Sequence, residues 1–416
     1  MTFAAWRARS EGVGRDRKGI AVRLCALALV VPTVGGNDCR PAGPTGSTGA
    51  APQLTDARGD ADPGGFASLV ESVERTRGLH FVRRPMLVVM DPNAPELAAL
   101  ARQARALMPL PDAEGRKSAP SGAPTGERGV GDATPVRAAA AFPDFERAQV
   151  IASAPLRAEG VRRALGRLID GQHYPRLVEA APRVPGDAGI ALRALLAVSA
   201  DATAAGSWFP GGLHLPEAEA PLNAARIEGV VRGKPAFDVV TGPLQSAGFL
   251  MLSLDDPEQA FRRPPLSTKQ LLSPATYLAS DRPTRLVGVP PVLAHCQVVE
   301  DESVGVLRLL IGLSRSGGSL SGESLARWKG DRLVRLSCDD GRAPWIYVAE
   351  FVGQQAPRDF ADRIDALLPG DLARPVRSVT LGRRIVASSG LDAEVATAFA
   401  RTLGSREVKD FSEWLP

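Results

Sequence analysis

Histidine, cysteine, tyrosine and lysine are all scarce in this chain of 416 residues, and each shortage removes a class of chemistry. The four histidines, His80, His173, His214 and His295, include no pair at metal-ligand spacing, and none of the four cysteines belongs to a Cys-x-x-Cys unit. Zinc fingers, zinc ribbons and dithiol redox centres need those spacings, so none is encoded. Three tyrosines are too few for a base-stacking platform. Lysine stands only at positions 18, 117, 234, 269, 329 and 409, and arginine carries the rest of the positive charge. Of the formal +4, residues 1–38 hold +3, from Arg7, Arg9, Arg15, Arg17, Lys18 and Arg23 against Glu11, Asp16 and Asp38. The remaining chain is therefore close to neutral and has no basic stripe, which argues against nucleic acid as a partner. There is no Gly-x-Ser-x-Gly elbow: Gly318-Ser-Leu-Ser-Gly322 puts Leu320 at the nucleophile position. No glycine-rich phosphate loop sits at a strand-to-helix junction.

What is present begins with an export signal over residues 1–36. A basic stretch to Arg23 precedes the apolar run Leu24–Val31, then Pro32 and the small residues Thr33 to Gly36. The run is too short to span a bilayer as a stable helix. Cys39 follows as a candidate for lipid attachment, although Asn37 and Asp38 fit the small-residue pattern of such sites poorly. Residues 37–65, rich in Pro, Gly, Ser, Thr, Ala and Asp, read as a flexible linker.

Folding is expected to begin at Phe66, where Phe66, Leu69, Val70 and Val73 recur at helical spacing before Gly78. A strand over Val82–Met90 and a helix over Pro95–Met108 follow, and then a mobile loop over 111–135. Helices are expected over Arg157–Ile169 and Ala188–Ala205, with strands at Ala148–Ala152, Leu333–Leu336, Trp345–Phe351 and Arg384–Ala387. Pro357–Leu368 and Asp392–Leu403 read as helices. The order is neither alternating βαβ nor all-β, so the class is α+β, with a central helix pair and small β-sheet elements. The domain is expected over 66–370, with a C-terminal strand and helix extension over 371–416. In an oxidising compartment Cys296 and Cys338 either pair or remain two buried thiols, and the sequence leaves both open.

Five segments in one order carry a resemblance. They are Ala139-Ala-Ala-Phe-Pro-Asp-Phe145, Arg163-Ala-Leu-Gly-Arg-Leu-Ile-Asp-Gly-Gln-His-Tyr174, Ser199-Ala-Asp-Ala-Thr203, Pro264-Pro-Leu-Ser-Thr-Lys-Gln-Leu-Leu-Ser-Pro-Ala-Thr-Tyr277 and Trp328-Lys-Gly-Asp-Arg332. Over about residues 78 to 370 the chain resembles a family of exported bacterial zinc metallopeptidases of the HExxH, gluzincin-like type. That family's pattern places two histidines one helical turn apart as zinc ligands, with the glutamate after the first as general base. Here the resemblance puts Arg163 and Arg167 at the histidine positions, Ala164 at the glutamate and Ser199 at the third, acidic ligand. The Ser273 position, histidine in the family pattern, departs as well.

Arginine has no lone pair to offer a metal and keeps its proton, so it cannot stand in for a ligating imidazole. The resemblance therefore implies a degenerate member: a pseudoenzyme with no cofactor and no metal site. Its partner would be a protein, a peptide or an envelope component, and it would meet a membrane only through an N-terminal anchor. Arg163 and Arg167 could form an anion site, since guanidinium pairs recognise carboxylates well. The plainer expectation is internal pairing with Asp170, Asp187 or Asp201. The rival reading is a hydrolase with a remodelled site that uses one of those aspartates as its base.

Overall fold

The computed structural model describes residues 54–55, 62–107, 141–206, 241–316, 326–361 and 376–415, all within the unit Ala50–Pro416. The signal segment, Cys39, the loop 111–135 and His214 lie outside the described residues. The class is α+β.

The first helix, α1, runs Pro63–Arg77. Asp62 caps it by accepting from the Gly64 and Gly65 amides, both at 3.0 Å, and Gly78, at φ 65°, ends it in the left-handed conformation. Its buried face is Phe66, Leu69, Val70, Val73 and Arg77. The linker expected to reach residue 65 thus stops earlier. Leu54 is buried among Phe66, Leu69 and Val70, and its carbonyl accepts from the Asp62 amide.

A three-stranded sheet in the order β1-β3-β2 follows, from β1 (Met86–Met90), β2 (Ala141–Asp144) and β3 (Gln149–Ser153). β1 and β3 are parallel and β2 is antiparallel to β3; the helix α2 (Pro95–Ala106) connects β1 onward.

The central pair is α3 (Ala158–His173) and α4 (Gly186–Ala204). Helix α4 is apolar nearly all round and almost wholly buried, as such a helix must be. Gly166 allows the two to approach closely, because a Cβ there would lie 2.9 Å from that of Thr203. A further helix, α5 (Thr241–Leu252), packs on α4 through Ala247, Leu250 and Met251.

The second half is a five-stranded antiparallel sheet. Its strands are β5 (Cys296–Glu302), β6 (Trp328–Cys338), β7 (Trp345–Phe351), β8 (Arg377–Leu381) and β9 (Arg384–Ser389), in the order β5-β6-β7-β9-β8. Strand β7 is buried on both faces. Trp345, Tyr347, Ala349 and Phe351 pack with Val306, Leu307, Leu309 and Leu310 of α6 (Gly305–Ser316). Ile346 and Val348 face Ala396, Phe399 and Ala400 of α7 (Ala393–Thr402).

The boundary expected at 370/371 does not hold, because β9 sits between β7 and β8 and completes the core sheet. A two-stranded ribbon of β4 (Thr284–Val287) and β10 (Gly404–Glu407) closes the chain onto β6, before a 3-10 turn at Phe411–Trp414.

Cys296 and Cys338 face each other across β5 and β6 and form a disulfide. Closing a loop with a sequence separation of 42 restricts the unfolded chain by about 4 kcal/mol on the chain-entropy model. A Cys296→Ser/Cys338→Ser variant should lose about 2–4 kcal/mol in urea unfolding while keeping its far-ultraviolet spectrum. A loss below about 0.5 kcal/mol would mean that strand pairing alone already restricts that loop.

Candidate functional site

Arg163 and Arg167 lie one turn apart on α3 and meet different fates. Arg163 is half-exposed and paired with two acids: its Nε donates to Asp201 Oδ1 at 2.7 Å and its Nη2 to Glu159 Oε1 at 3.0 Å. Internal pairing therefore accounts for Arg163. Arg167, half-buried, makes no hydrogen bond or ion pair among the described residues. Burial pushes its pKa down, while Asp201 and Asp170 favour its charge through space. Ala164 is a core residue, packed with Val161, Leu165 and Leu168 against α1, so it does not face the position a general base would need.

Ser199 is fully buried on α4, and its hydroxyl bonds to neither Arg163 nor Arg167. Its Oγ donates to Asp170 Oδ2 at 2.8 Å and accepts from Arg77 Nη1 at 3.0 Å. Arg77 ends α1 and is the hub of the site. The same Nη1 donates to Asp170 Oδ1 at 2.5 Å, and Nη2 donates to Glu258 Oε1 at 3.0 Å. The Tyr174 hydroxyl donates to the other oxygen of Glu258, and Phe261 lies under the guanidinium, 5.5 Å from its centroid.

Burial pushes the Asp170 carboxyl up, and Arg77 and Ser199 pull it back. Arginine does not release its proton, so the Arg77 side of the pair stays charged. Both Asp170 oxygens are engaged and the side chain is fully buried, so it is out of reach of a substrate. Glu258 holds the Tyr174 phenol well above its usual range, after burial as the first cause.

Sequence reasoning missed Arg77 and Glu258. Arg77 had a readable signal, since it follows Val70 and Val73 at the spacing that defines the buried face of α1. A charged residue on an apolar face demands a partner inside.

A second buried group joins the two halves of the molecule. Asp187, at the start of α4, accepts from the Thr268 hydroxyl and from the Thr268 amide at 3.1 Å. Asp331 accepts from Ser303 Oγ at 2.6 Å, from Tyr347 OH at 3.0 Å and from the amides of Val304 and Gly305 that open α6. Burial pushes the Asp187 carboxyl up to about 8, with the nearby Asp331 adding to the effect.

These contacts give the segments of the resemblance structural work. Within Pro264–Tyr277, Thr268 binds Asp187, Lys269 Nζ reaches Asp281 at 3.0 Å and the Trp328 carbonyl at 2.9 Å, and Tyr277 OH donates to the Arg263 carbonyl at 2.8 Å. Arg332 forks onto Asp301 with two bonds of 2.7 Å. His173 Nε2 meets the His80 carbonyl at 2.8 Å.

No family model, curated protein or solved structure matches this chain. The chemistry of the site therefore rests on its own residues. A zinc ion does not fit the donor set at the positions considered: two guanidiniums and a methyl offer no lone pair, and the Ser199 hydroxyl is occupied by Arg77 and Asp170. Among the described residues no group of three or more His, Cys, Asp or Glu side chains could hold a metal ion. Of the aspartates considered as bases, Asp170 binds Arg77 and Ser199, Asp187 binds Thr268, and Asp201 binds Arg163.

Proposed function

We propose that the chain is an exported, non-catalytic pseudo-metallopeptidase that serves in the cell envelope or outside the cell by binding a protein, peptide or envelope component. The observation that carries this reading is the Arg77 guanidinium, bonded at once to Ser199, Asp170 and Glu258. A permanent cation holds the residue that the resemblance places at the third zinc ligand, and α3 adds two more cations on the same stretch. A divalent ion brought there would meet electrostatic repulsion and an acceptor set already in use.

The reading draws further support from the segments of the resemblance, whose polar side chains act as struts between α4, α6 and the five-stranded sheet. Such a scaffold keeps its shape without the catalytic centre. Function then belongs to whatever surface the scaffold presents.

The test is elemental mass spectrometry on the purified chain after incubation with zinc and dialysis. The expected result is zinc far below one equivalent, with unfolding unchanged by a chelator. Near-stoichiometric zinc that is lost together with stability on chelation would sink the proposal.

A further inference from the structure

Away from the α3–α4 site, a cavity of about 610 Å³ lies where the start of α7 meets the β8–β9 edge of the five-stranded sheet. Strand alternation decides which side chains of that edge turn into it. In β9, Val386 packs on α7, and Ser388, two residues on, shares its face; Ser388 also pairs with Ile346, which packs on α7 as well. Arg377 of β8 is the register partner of Ser388 and so points to the same side. Ser378 turns the other way, donating to the Ala361 carbonyl at 3.4 Å. Arg377 and Ser388 thus stand side by side on the cavity wall, which Asp392, the residue before α7, also lines.

The wall carries Arg342, Arg377 and Asp392, and one of these charges is already met: Arg342 Nε donates to Asp340 Oδ2 at 2.6 Å. The side chains of Arg377 and Asp392 are exposed and pair neither with each other nor with any other group among the described residues. Ser388 is 2% exposed, and its hydroxyl has no hydrogen-bond partner among the described residues. A hydroxyl held this deep without a partner calls for one. A simple anion would suit Arg377 and be repelled by Asp392, and a simple cation would meet the reverse. A ligand that carries both charges satisfies each.

We propose that this cavity binds a short peptide with both ends free, its carboxylate on Arg377 and the Ser388 hydroxyl and its ammonium on Asp392. The planar edge of a guanidinium matches a carboxylate, and charge-assisted bonds of both kinds fix the direction of the chain. Leu293, Leu391 and Val395 offer the ligand's side chains an apolar surface. The volume lies within the range of about 300–1,000 Å³ usual for ligand sites. The inference does not rest on the pseudo-metallopeptidase reading, because it uses no residue of the α3–α4 site, and the zinc measurement leaves it untouched.

Isothermal titration calorimetry of the full chain with L-alanyl-L-leucine tests it, alongside the N-acetylated dipeptide, which lacks the ammonium, and the dipeptide amide, which lacks the carboxylate. Saturable binding of the free dipeptide is expected, with each blocked form weaker by about tenfold or more, the loss of one charge-assisted pair. Arg377→Gln should weaken the free dipeptide by about tenfold and erase the discrimination against the amide, while that against the acetylated form persists. Asp392→Asn should do the opposite, and asparagine still suits a helix N-cap, so α7 is kept. Ser388→Ala should weaken the dipeptide by about three- to tenfold. Absent or non-saturable binding, equal affinity for either blocked form, or unchanged discrimination in Arg377→Gln or Asp392→Asn would each overturn the proposal.

Discussion

Replacing Arg77 with methionine should cost about 3–5 kcal/mol of folding stability, the largest loss expected from any single side chain at the α3–α4 site. The side chain is fully buried, and its removal leaves Asp170 and Glu258 facing each other inside with one cation gone. Desolvation of an unpaired carboxylate is what makes the breaking of a buried pair so destabilising, whereas replacing all partners together is often mild. A double variant, Arg77→Met with Asp170→Asn, should therefore recover part of the loss. The amide introduced by Asp170→Asn would still accept from Ser199, and the charge that needed Arg77 would be absent.

The pH dependence has a definite sign. Without Arg77, burial acts on the Asp170 carboxyl with less opposition, so its folded pKa rises further above the unfolded value. A raised acid binds its proton more tightly in the folded state, so stability is lost as pH rises. Urea unfolding of Arg77→Met should show a larger deficit at pH 8 than at pH 5. A loss below about 1 kcal/mol at both values would mean that Arg77 is solvated or replaceable, and the proposed function would lose the observation that carries it.

Hydrophobic periodicity made legible those elements whose burial follows a single face. Phe66, Leu69, Val70 and Val73 announce α1, and Gly78 its end; the run Trp345–Phe351 announces β7. The α+β class follows from the mixture of the two periods. Sheet order was not legible, because pairing depends on contacts far apart in sequence. Nothing local says that β9 slips between β7 and β8, so the stretch after residue 370 read as an extension. Strand β5 was missed for a related reason: Gln297, Val298 and Val299 are exposed and charged residues follow, so no apolar alternation marks it.

The site was half legible. That Arg163, Ala164, Arg167 and Ser199 make no zinc-ligand set is visible in the sequence, and so is the pairing demand of the two arginines. The partners were not, because Arg77 reaches Asp170 and Ser199 across 93 and 122 positions. Asp187 carried a different clue. An aspartate in the first turn of an apolar helix usually favours the helix dipole from a solvated position, and here α6, β6 and Thr268 close over it.

That closure gives the second large effect. Asp187 is 1% exposed, and burial sets its carboxyl at about 8, against about 3.9 for an unfolded chain. The folded protein then holds a proton that the unfolded chain releases between these values. Stability from this group is complete below about pH 4, falls by up to about 1.4 kcal/mol per unit as pH rises, and levels off above about pH 8. Asp331, also raised by burial, adds in the same direction, and Arg308 nearby opposes it.

The variant Asp187→Asn separates this group from the rest. Its amide oxygen still accepts from the Thr268 hydroxyl, while the second acceptor, used by the Thr268 amide, is lost. At pH 5 the variant should be less stable than the parent by about 1–3 kcal/mol, the cost of one unsatisfied buried group. Toward pH 9 the parent loses its protonated carboxyl and the variant does not, so the two unfolding midpoints should converge or cross. Midpoints that run parallel from pH 5 to pH 9 would show that Asp187 is ionised throughout. In that case Asp187 and Asp331 would sit as two buried charges whose repulsion Arg308 and the amides of α6 must offset on their own.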